Sequence, residues 1–221
     1  MKALSTKKKT SKTVSTVDRI ADASLMLFNQ HGERNITTNH IAEHLKMSAG
    51  NLYYHFRNKE EIIFRLFNRY RDNILSFINE NPEPSTPQEL HDLVVYILDI
   101  MWEYRFLFSD VTNLLARDHE LENEYTNFTI NKVSPTIRAY LIHLIDLKMV
   151  NMDQLDIAIF ISNFWLVIKH WFYFDKSLHH NVLDKHSKLR GIKNILGMLR
   201  PYVVPEKRQD YDAILLNYML L

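Results

Sequence analysis

Residues 37–59 read TTNHIAEHLKMSAGNLYYHFRNK, and the reading of this stretch decides the fold. Two short apolar patterns flank a tight break at Lys46-Met47-Ser48. The first carries Ile41, Ala42 and Leu45 at helical spacing. The second carries Leu52 and Phe56, four residues apart and so on one helix face. Ser48 is placed to cap the second segment, because its hydroxyl accepts an orphan backbone N–H of the first turn. Two helices joined by such a short turn follow the helix-turn-helix plan, in which the second helix enters the major groove of DNA.

Upstream, Ser15–His31 reads as a helix with Val17, Ile20, Ala21, Ser24, Leu25 and Phe28 as its apolar stripe. Gly32 is the expected C′ residue, where glycine takes a left-handed conformation at little cost. Thr37 or Thr38 caps the next helix, Thr38 being the better placed for Asn39–Leu45. The segment Ala49–His55 is the second helix of the motif. Residues 1–13 (MKALSTKKKTSKT) lack core-forming side chains and read as a disordered basic arm, with Lys7, Lys8, Lys9 and Lys12 available to phosphates.

Downstream, Asn58 caps a long helix from Lys59 to about Asn79. Glu60 and Glu61 lie in its first turn, where the helix dipole favours acids. Ile62, Ile63, Leu66, Phe67, Tyr70, Ile74 and Ile78 keep one face apolar. This helix is too long for a small three-helix domain alone and reads as a rod joining it to the rest. Asn81-Pro-Glu-Pro-Ser-Thr-Pro87 then ends all helical continuity. Thr86 and Pro87 fit the N-cap and first helical positions, with Glu89 as the capping-box partner, of a helix to about Arg105. Further helices are expected at 106–118, at 119–149, at 153–177, at 185–199 with Pro201 closing it, and at 205–221 with Ile214, Leu215, Tyr218 and Met219. At Ser134-Pro135 the segment 119–149 either kinks or starts anew. The expected architecture is all-α with about 9–10 helices. Its divisions are the arm at 1–13, a helix-turn-helix domain at 14–58, a connecting helix at 59–80 and a second helical domain at 87–221.

The bulk composition agrees. Only 4 Gly and 6 Pro interrupt 221 residues, of which 46% are hydrophobic. Cysteine is absent, so there is no disulfide or thiolate chemistry, and a reducing, cytoplasmic setting is expected. The basic N-terminus leads into no apolar segment of signal-peptide length. No uninterrupted apolar run reaches the roughly 18 residues of a membrane span, so no membrane partner is expected. The net charge of +1 conceals a division. Residues 1–71 hold 13 Lys and Arg against 6 Asp and Glu, and the remainder 14 against 20. A basic first third suits a polyanionic partner.

The motif resembles the DNA-binding region of the TetR/AcrR family of bacterial transcriptional regulators. The resemblance rests on Phe28-x-x-x-Gly32, on Thr37-Thr38 before Ile41-Ala42, on the short turn, and on Leu52-Tyr-Tyr-His-Phe56 followed by Lys59-Glu60. It covers about residues 14–75. Beyond that, the chain is similar to the family in the number, length and order of its helices. The resemblance implies a homodimer on a palindromic double-stranded operator, and, since most relatives are released from DNA by their ligand, a repressor.

With Leu52 and Phe56 facing inward, Gly50, Asn51, Tyr54 and His55 point outward and Tyr53 lies at the border. The family correspondence makes Ala49, Gly50, Asn51 and Tyr53, together with Asn39, the base-facing positions. Asn51 suits bidentate pairing with adenine, and Ala49 suits contact with a thymine methyl. Gly50 lets the backbone approach closely. Thr38, Ser48, Tyr54, His55 and Lys59 match the family's phosphate-contacting positions, Lys59 at a helix N-terminus where charge and dipole act together. A recognition helix poor in Arg and Gln implies few strong base contacts and a share of readout through DNA shape.

The resemblance also implies an effector pocket enclosed by the helices at 87–105, 106–118, 119–149 and 153–177, for a small hydrophobic or amphipathic molecule. Trp102, Phe106, Phe164 and Trp165 are the candidate lining. It implies a dimer interface built from the helices near 153–177 and 185–199. No nucleophile elbow, glycine-rich phosphate loop or metal-spaced motif is present, so an enzyme is not expected and no cofactor is called for. His179, His180 and His186 lie near Asp175 and Asp184, but adjacent imidazoles do not share a helix face, and no metal site is expected.

Overall fold

Ser15 begins the first helix for the reason its side chain suggests: its hydroxyl accepts the Asp18 N–H at 3.0 Å. The computed structural model describes residues 15–218; the arm expected at 1–13, and Met219, lie outside them. The described chain is all-α. It divides into two compact units, 1–62 and 63–221.

In the first unit, α1 (Thr16–His31) buries Ile20, Ala21, Ala23, Ser24, Leu25, Leu27 and Phe28. Gly32 ends it with a positive φ of 82°, but its ψ of 138° sends the chain off extended rather than in a left-handed turn. A single 3-10 turn (Glu33–Asn35) follows. Next come α2 (Thr38–His44) and α3 (Ala49–His55). Thr37, not Thr38, caps α2. Its hydroxyl accepts the His40 N–H at 3.3 Å, and the His40 imidazole accepts the Thr37 N–H at 3.2 Å. The reciprocal pair exists only in this register, because it needs a side chain at the third helical position that reaches back. Between the helices Lys46 takes φ 53°. Ser48 then caps α3 by accepting the Asn51 N–H at 3.2 Å. Leu52 and Phe56 are buried, as are Ile41 and Ala42.

α4 (Lys59–Glu80) begins at Asn58, whose side chain accepts the Glu61 N–H at 2.8 Å. Beyond the proline segment, Thr86 caps α5 (Pro87–Glu103) through the Glu89 N–H at 3.1 Å. The Glu89 carboxylate turns back to Ser85 N–H at 2.8 Å, one residue short of the reciprocal box. The single helix expected over 106–118 is two, α6 (Arg105–Ser109) and α7 (Val111–Arg117), parted at Asp110. Asp110 leaves helical geometry and takes the Asn113 amide on its carboxylate at 2.5 Å. Short polar side chains of this kind compete with the helix for local bonds.

α8 (His119–Phe128) and α9 (Ser134–Asp146) are joined by a π-helical turn over Thr129–Val133. The Ser134 N–H reaches back five residues to the Thr129 carbonyl. Pro135, which has no N–H to give, follows directly in the first turn of α9. A widened turn thus parts two α-helices, and the second opens with the proline in its first turn.

α10 (Gln154–Leu178) and α11 (Lys185–Leu199) complete the second unit with α12 (Pro205–Leu216). An isolated antiparallel bridge between Val150 and Val203 ties the loop before α10 to the turn after α11. α11 lies close against α10 because residue 191 is glycine. A Cβ there would stand 2.7 Å from Trp171 Nε1, which donates to the Ser187 carbonyl at 2.8 Å. Alongside, Arg190 forks onto the buried Asp175 carboxylate with two bonds of 2.7 Å. Burial pushes that carboxyl up, but the bonds from Arg190 and Ser187 outweigh it and hold it below the usual range.

Candidate DNA-reading surface and effector cavity

In α3 the two inward residues leave a continuous outward row. Ala49, Gly50 and Asn51 are exposed, and so is Asn39 on α2. A Cβ built on Gly50 meets nothing within 4 Å, so no packing within the unit requires a glycine at this position. Tyr54 is the most open aromatic side chain, 84% exposed. It meets His55 edge-on at 5.0 Å between ring centroids. Tyr53 is held at its tip: its hydroxyl and that of Thr38 are 2.9 Å apart. One base-facing candidate and one phosphate-facing candidate are thus coupled across the two helices of the motif.

Lys59 is a correction. Its ammonium points into the first unit rather than outward. It stands 2.7 Å from Glu33 Oε1 and donates to the Glu33 carbonyl at 3.1 Å and the Ile36 carbonyl at 3.2 Å. Two carbonyls accept from the ammonium and the carboxylate stands beside it, and the side chain is only 18% exposed. Lys59 therefore staples the segment after α1 to the start of α4, its charge paired with Glu33 rather than open to a phosphate. The exposed cations near the motif are others: Lys46 in the turn before α3, and Arg57 after it, 90% exposed and only loosely paired with Glu61 at 3.7 Å. Lys46 was visible in the sequence as a basic residue inside the turn, but its significance depends on the left-handed backbone that turns it outward.

The second unit encloses a cavity of about 140 Å³. Its walls come from eight helices and the π turn. α4 supplies Tyr70, Ile74 and Ile78, and α5 supplies Leu90, Leu93, Val94, Ile97, Leu98 and Met101. Phe108, Tyr125, Phe128, Thr129 and Val133 follow from α6, α8 and the π turn; Thr136, Ile137, Tyr140, Leu141 and Leu144 come from α9. α10 gives Phe160, Phe164, Trp165, Ile168 and Lys169, α11 gives Ile195, Leu196 and Leu199, and Tyr211 of α12 adds to these. Burial, reinforced by the neighbouring Tyr125, pushes the Tyr70 phenol far up. Burial likewise takes Tyr125 up to about 12 and raises Tyr140 and Tyr211. The phenols thus stay neutral at ordinary pH.

Of the four lining candidates, Phe164 and Trp165 face the cavity and Trp102 and Phe106 do not. The inward positions of α5 step as 90, 93, 94, 97, 98 and 101, one stripe of a 3.6-residue repeat. Trp102 is one residue further round. It packs edge-on against Phe172 at 5.7 Å, with the Arg105 guanidinium 4.6 Å over its ring. Phe106 is buried core on α6. The cavity also uses α4, α11 and α12, which lay outside the expected enclosure, so α4 is a wall as well as a connector.

The acidic and histidine cluster near the α10–α11 turn has structural work. Asp175 holds Arg190, the His179 imidazole Nδ1 lies 2.7 Å from the Asp175 carbonyl, and Asp184 caps α11 through the His186 and Ser187 N–H groups. On its other side α10 exposes Leu155, Ile159, Leu166 and Tyr173 in one row, with Phe174 and Leu178 beside it. By length and composition α10 alone among the described residues would suffice to cross a bilayer, a property shared by core helices of ordinary proteins.

Two family descriptions match the chain along most of its length. Residues 20–66 match "bacterial regulatory proteins, tetR family", and residues 69–211 match "bacterial transcriptional repressor" of the TetR type. The chain belongs to the TetR family. A solved TetR-family transcriptional regulator from Marinobacter aquaeolei VT8 is 36% identical, with a TM-score of 0.82 over 93% of this chain and 99% of its own. The negative transcriptional regulator IcaR of the biofilm operon icaADBC from Staphylococcus epidermidis is 26% identical over 160 residues, 71% of this chain and 82% of that protein. The HTH-type transcriptional regulator YhgD of Bacillus subtilis is 24% identical over 197 residues, 86% and 96% of the two chains. This TetR-family chain is therefore a transcriptional regulator. Regulators of the family bind DNA operators and form dimers.

Proposed function

We propose that this regulator is a homodimeric repressor that sits on a palindromic operator and leaves it when a small hydrophobic or amphipathic molecule enters the second unit. The observation that carries the reading is the cavity: about 140 Å³ of almost wholly apolar space inside a unit of its own. An engineered apolar cavity of roughly that size, 150 Å³, binds benzene, and a ligand shifts a two-state protein only by binding one state better. Asn39, Ala49, Gly50, Asn51 and Tyr53 read bases. Thr38, Ser48, Tyr54 and His55 hold phosphates, with Lys46 taking the cationic place that Lys59 does not fill. The exposed apolar row of α10 supports pairing of α10 and α11 with their counterparts in a second copy, which sets two α3 helices about one DNA turn apart. Cytoplasmic action follows from an operator on the chromosome. The cavity lining brings together no set of ionisable groups that would serve a reaction.

A gel-shift titration tests the reading. The DNA upstream of the gene is expected to bind well above scrambled DNA of equal length. Leu141→Trp, which fills the cavity, is expected to keep that affinity and lose its response to apolar compounds. Equal affinity for upstream and scrambled DNA would sink the specific-repressor reading.

A further inference from the structure

The cavity contains one charge. Lys169 is the only ionisable cation among the lining residues, and no carboxylate lines the cavity with it. Among the described residues no ion pair is recorded for its ammonium. Instead the ammonium stands 5.5 Å from the centre of the Tyr125 ring, a cation–π contact that compensates a charge only in part. Next to Tyr125, at the first residue of the π turn, Thr129 Oγ1 is buried and without a bond of ordinary length. Its hydroxyl faces the Tyr125 phenol, a weak contact that partly offsets the rise burial imposes on that phenol. A half-buried cation with only a ring for company and a buried hydroxyl with only a weak phenol contact are both under-satisfied, and one ligand group would satisfy both: an anion that accepts from each.

We propose that the natural occupant of this cavity is an amphipathic anion, whose carboxylate or equivalent acidic head is held by Lys169 with Thr129, and whose apolar body lies toward Leu98, Leu141 and Phe164. This rests on reading the cavity as the effector site and specifies the class of effector. The phenols that line the cavity are neutral and do not repel such a head. Lys169 follows Trp165 by one helical turn, and the Trp165 indole is fixed by donating to Ser134 Oγ at 2.7 Å. The head group would therefore bear on α10 and the π turn together.

The test compares decanoate with decan-1-ol, two probes of equal chain length, by calorimetry and Trp165-sensitive fluorescence on the full chain. Decanoate is expected to bind at least about ten-fold tighter than the alcohol, as a charge-assisted bond permits. Lys169→Met is expected to remove that preference and leave the alcohol's affinity within about two-fold, while Lys169→Arg keeps it. Equal binding of the two probes by the wild type, or an undiminished preference in Lys169→Met, overturns the head-group assignment and leaves the cavity reading standing. Saturable binding of neither probe overturns the cavity reading and this proposal with it.

Discussion

In the first unit the residues we propose for recognition face solvent, on helices whose inward sides are small and fully used. In the second unit they face an interior left partly unfilled. α2 and α3 are seven residues each, far too short to hold together alone, so Leu52, Ile41 and Ala42 must pack against α1 for Asn51 and Tyr54 to be presented at all. The second unit does the reverse. Its long helices bury enough aromatic surface to leave a gap at the centre, and its bridges lie outside that gap, as Arg190–Asp175 does. A reading surface is built by filling a core and a ligand site by failing to fill one, which is why the two regions tolerate different changes.

The contrast is broken most severely at the ion pairs. Asp175→Asn removes the buried carboxylate from Arg190 and leaves it only the looser ion pair with Asp184 at 3.6 Å, and urea denaturation is expected to show a loss of about 3 kcal/mol. The Asp175 carboxyl is held below its ordinary value, so its contribution is complete above about pH 4, the usual Asp range, and is lost as pH falls through the lower folded value. The gap between wild type and variant is therefore expected at pH 7 and should close in acid; a gap that widened in acid would refute the pairing. Lys59→Met removes the ammonium from Glu33 and from two carbonyls in the first unit and is expected to cost about 1.5–3 kcal/mol. The salt dependence of DNA binding should keep its slope, because Lys59 meets no phosphate; a flattened slope would restore the phosphate role.

Smaller effects sharpen the reading surface. Asn51→Ala should lose roughly 1–3 kcal/mol of discrimination at one base pair; weakening of operator and random DNA alike would remove Asn51 from the readers. Lys46→Ala should weaken all sequences together and reduce the slope of log affinity against log salt by about one. Gly50→Ala meets no atom in the free protein and should stabilise α3 by somewhat less than about 1 kcal/mol. If the backbone at Gly50 approaches the bases closely, the same variant loses operator affinity in a gel shift while gaining thermal stability.

Much of the first unit was legible because its signals are local. Ser48 and Asn58 cap where capping chemistry says they should, and the four-residue step from Leu52 to Phe56 settles which side of α3 faces inward. The misreadings there had one cause. Thr37 displaced Thr38 as cap because His40 reaches back, and Lys59 turned inward because Glu33, 26 residues earlier, awaits it. Neither partner is announced by spacing alone. In the second unit the aromatic supply was plain, but Trp102 and Phe164 look alike as letters, and one helical step decided that only Phe164 meets the cavity.

The sequence by itself determined the helices, the proline break before α5, the motif at residues 37–59 and the family to which it belongs, since these rest on periodicity, caps and short-range chemistry. Tertiary structure alone decided where α4 becomes a cavity wall, that a π turn precedes Pro135, and which cation is committed to an ion pair. Those outcomes depend on groups far apart in the chain sharing one low-dielectric space, where a charge must find its partner or go without.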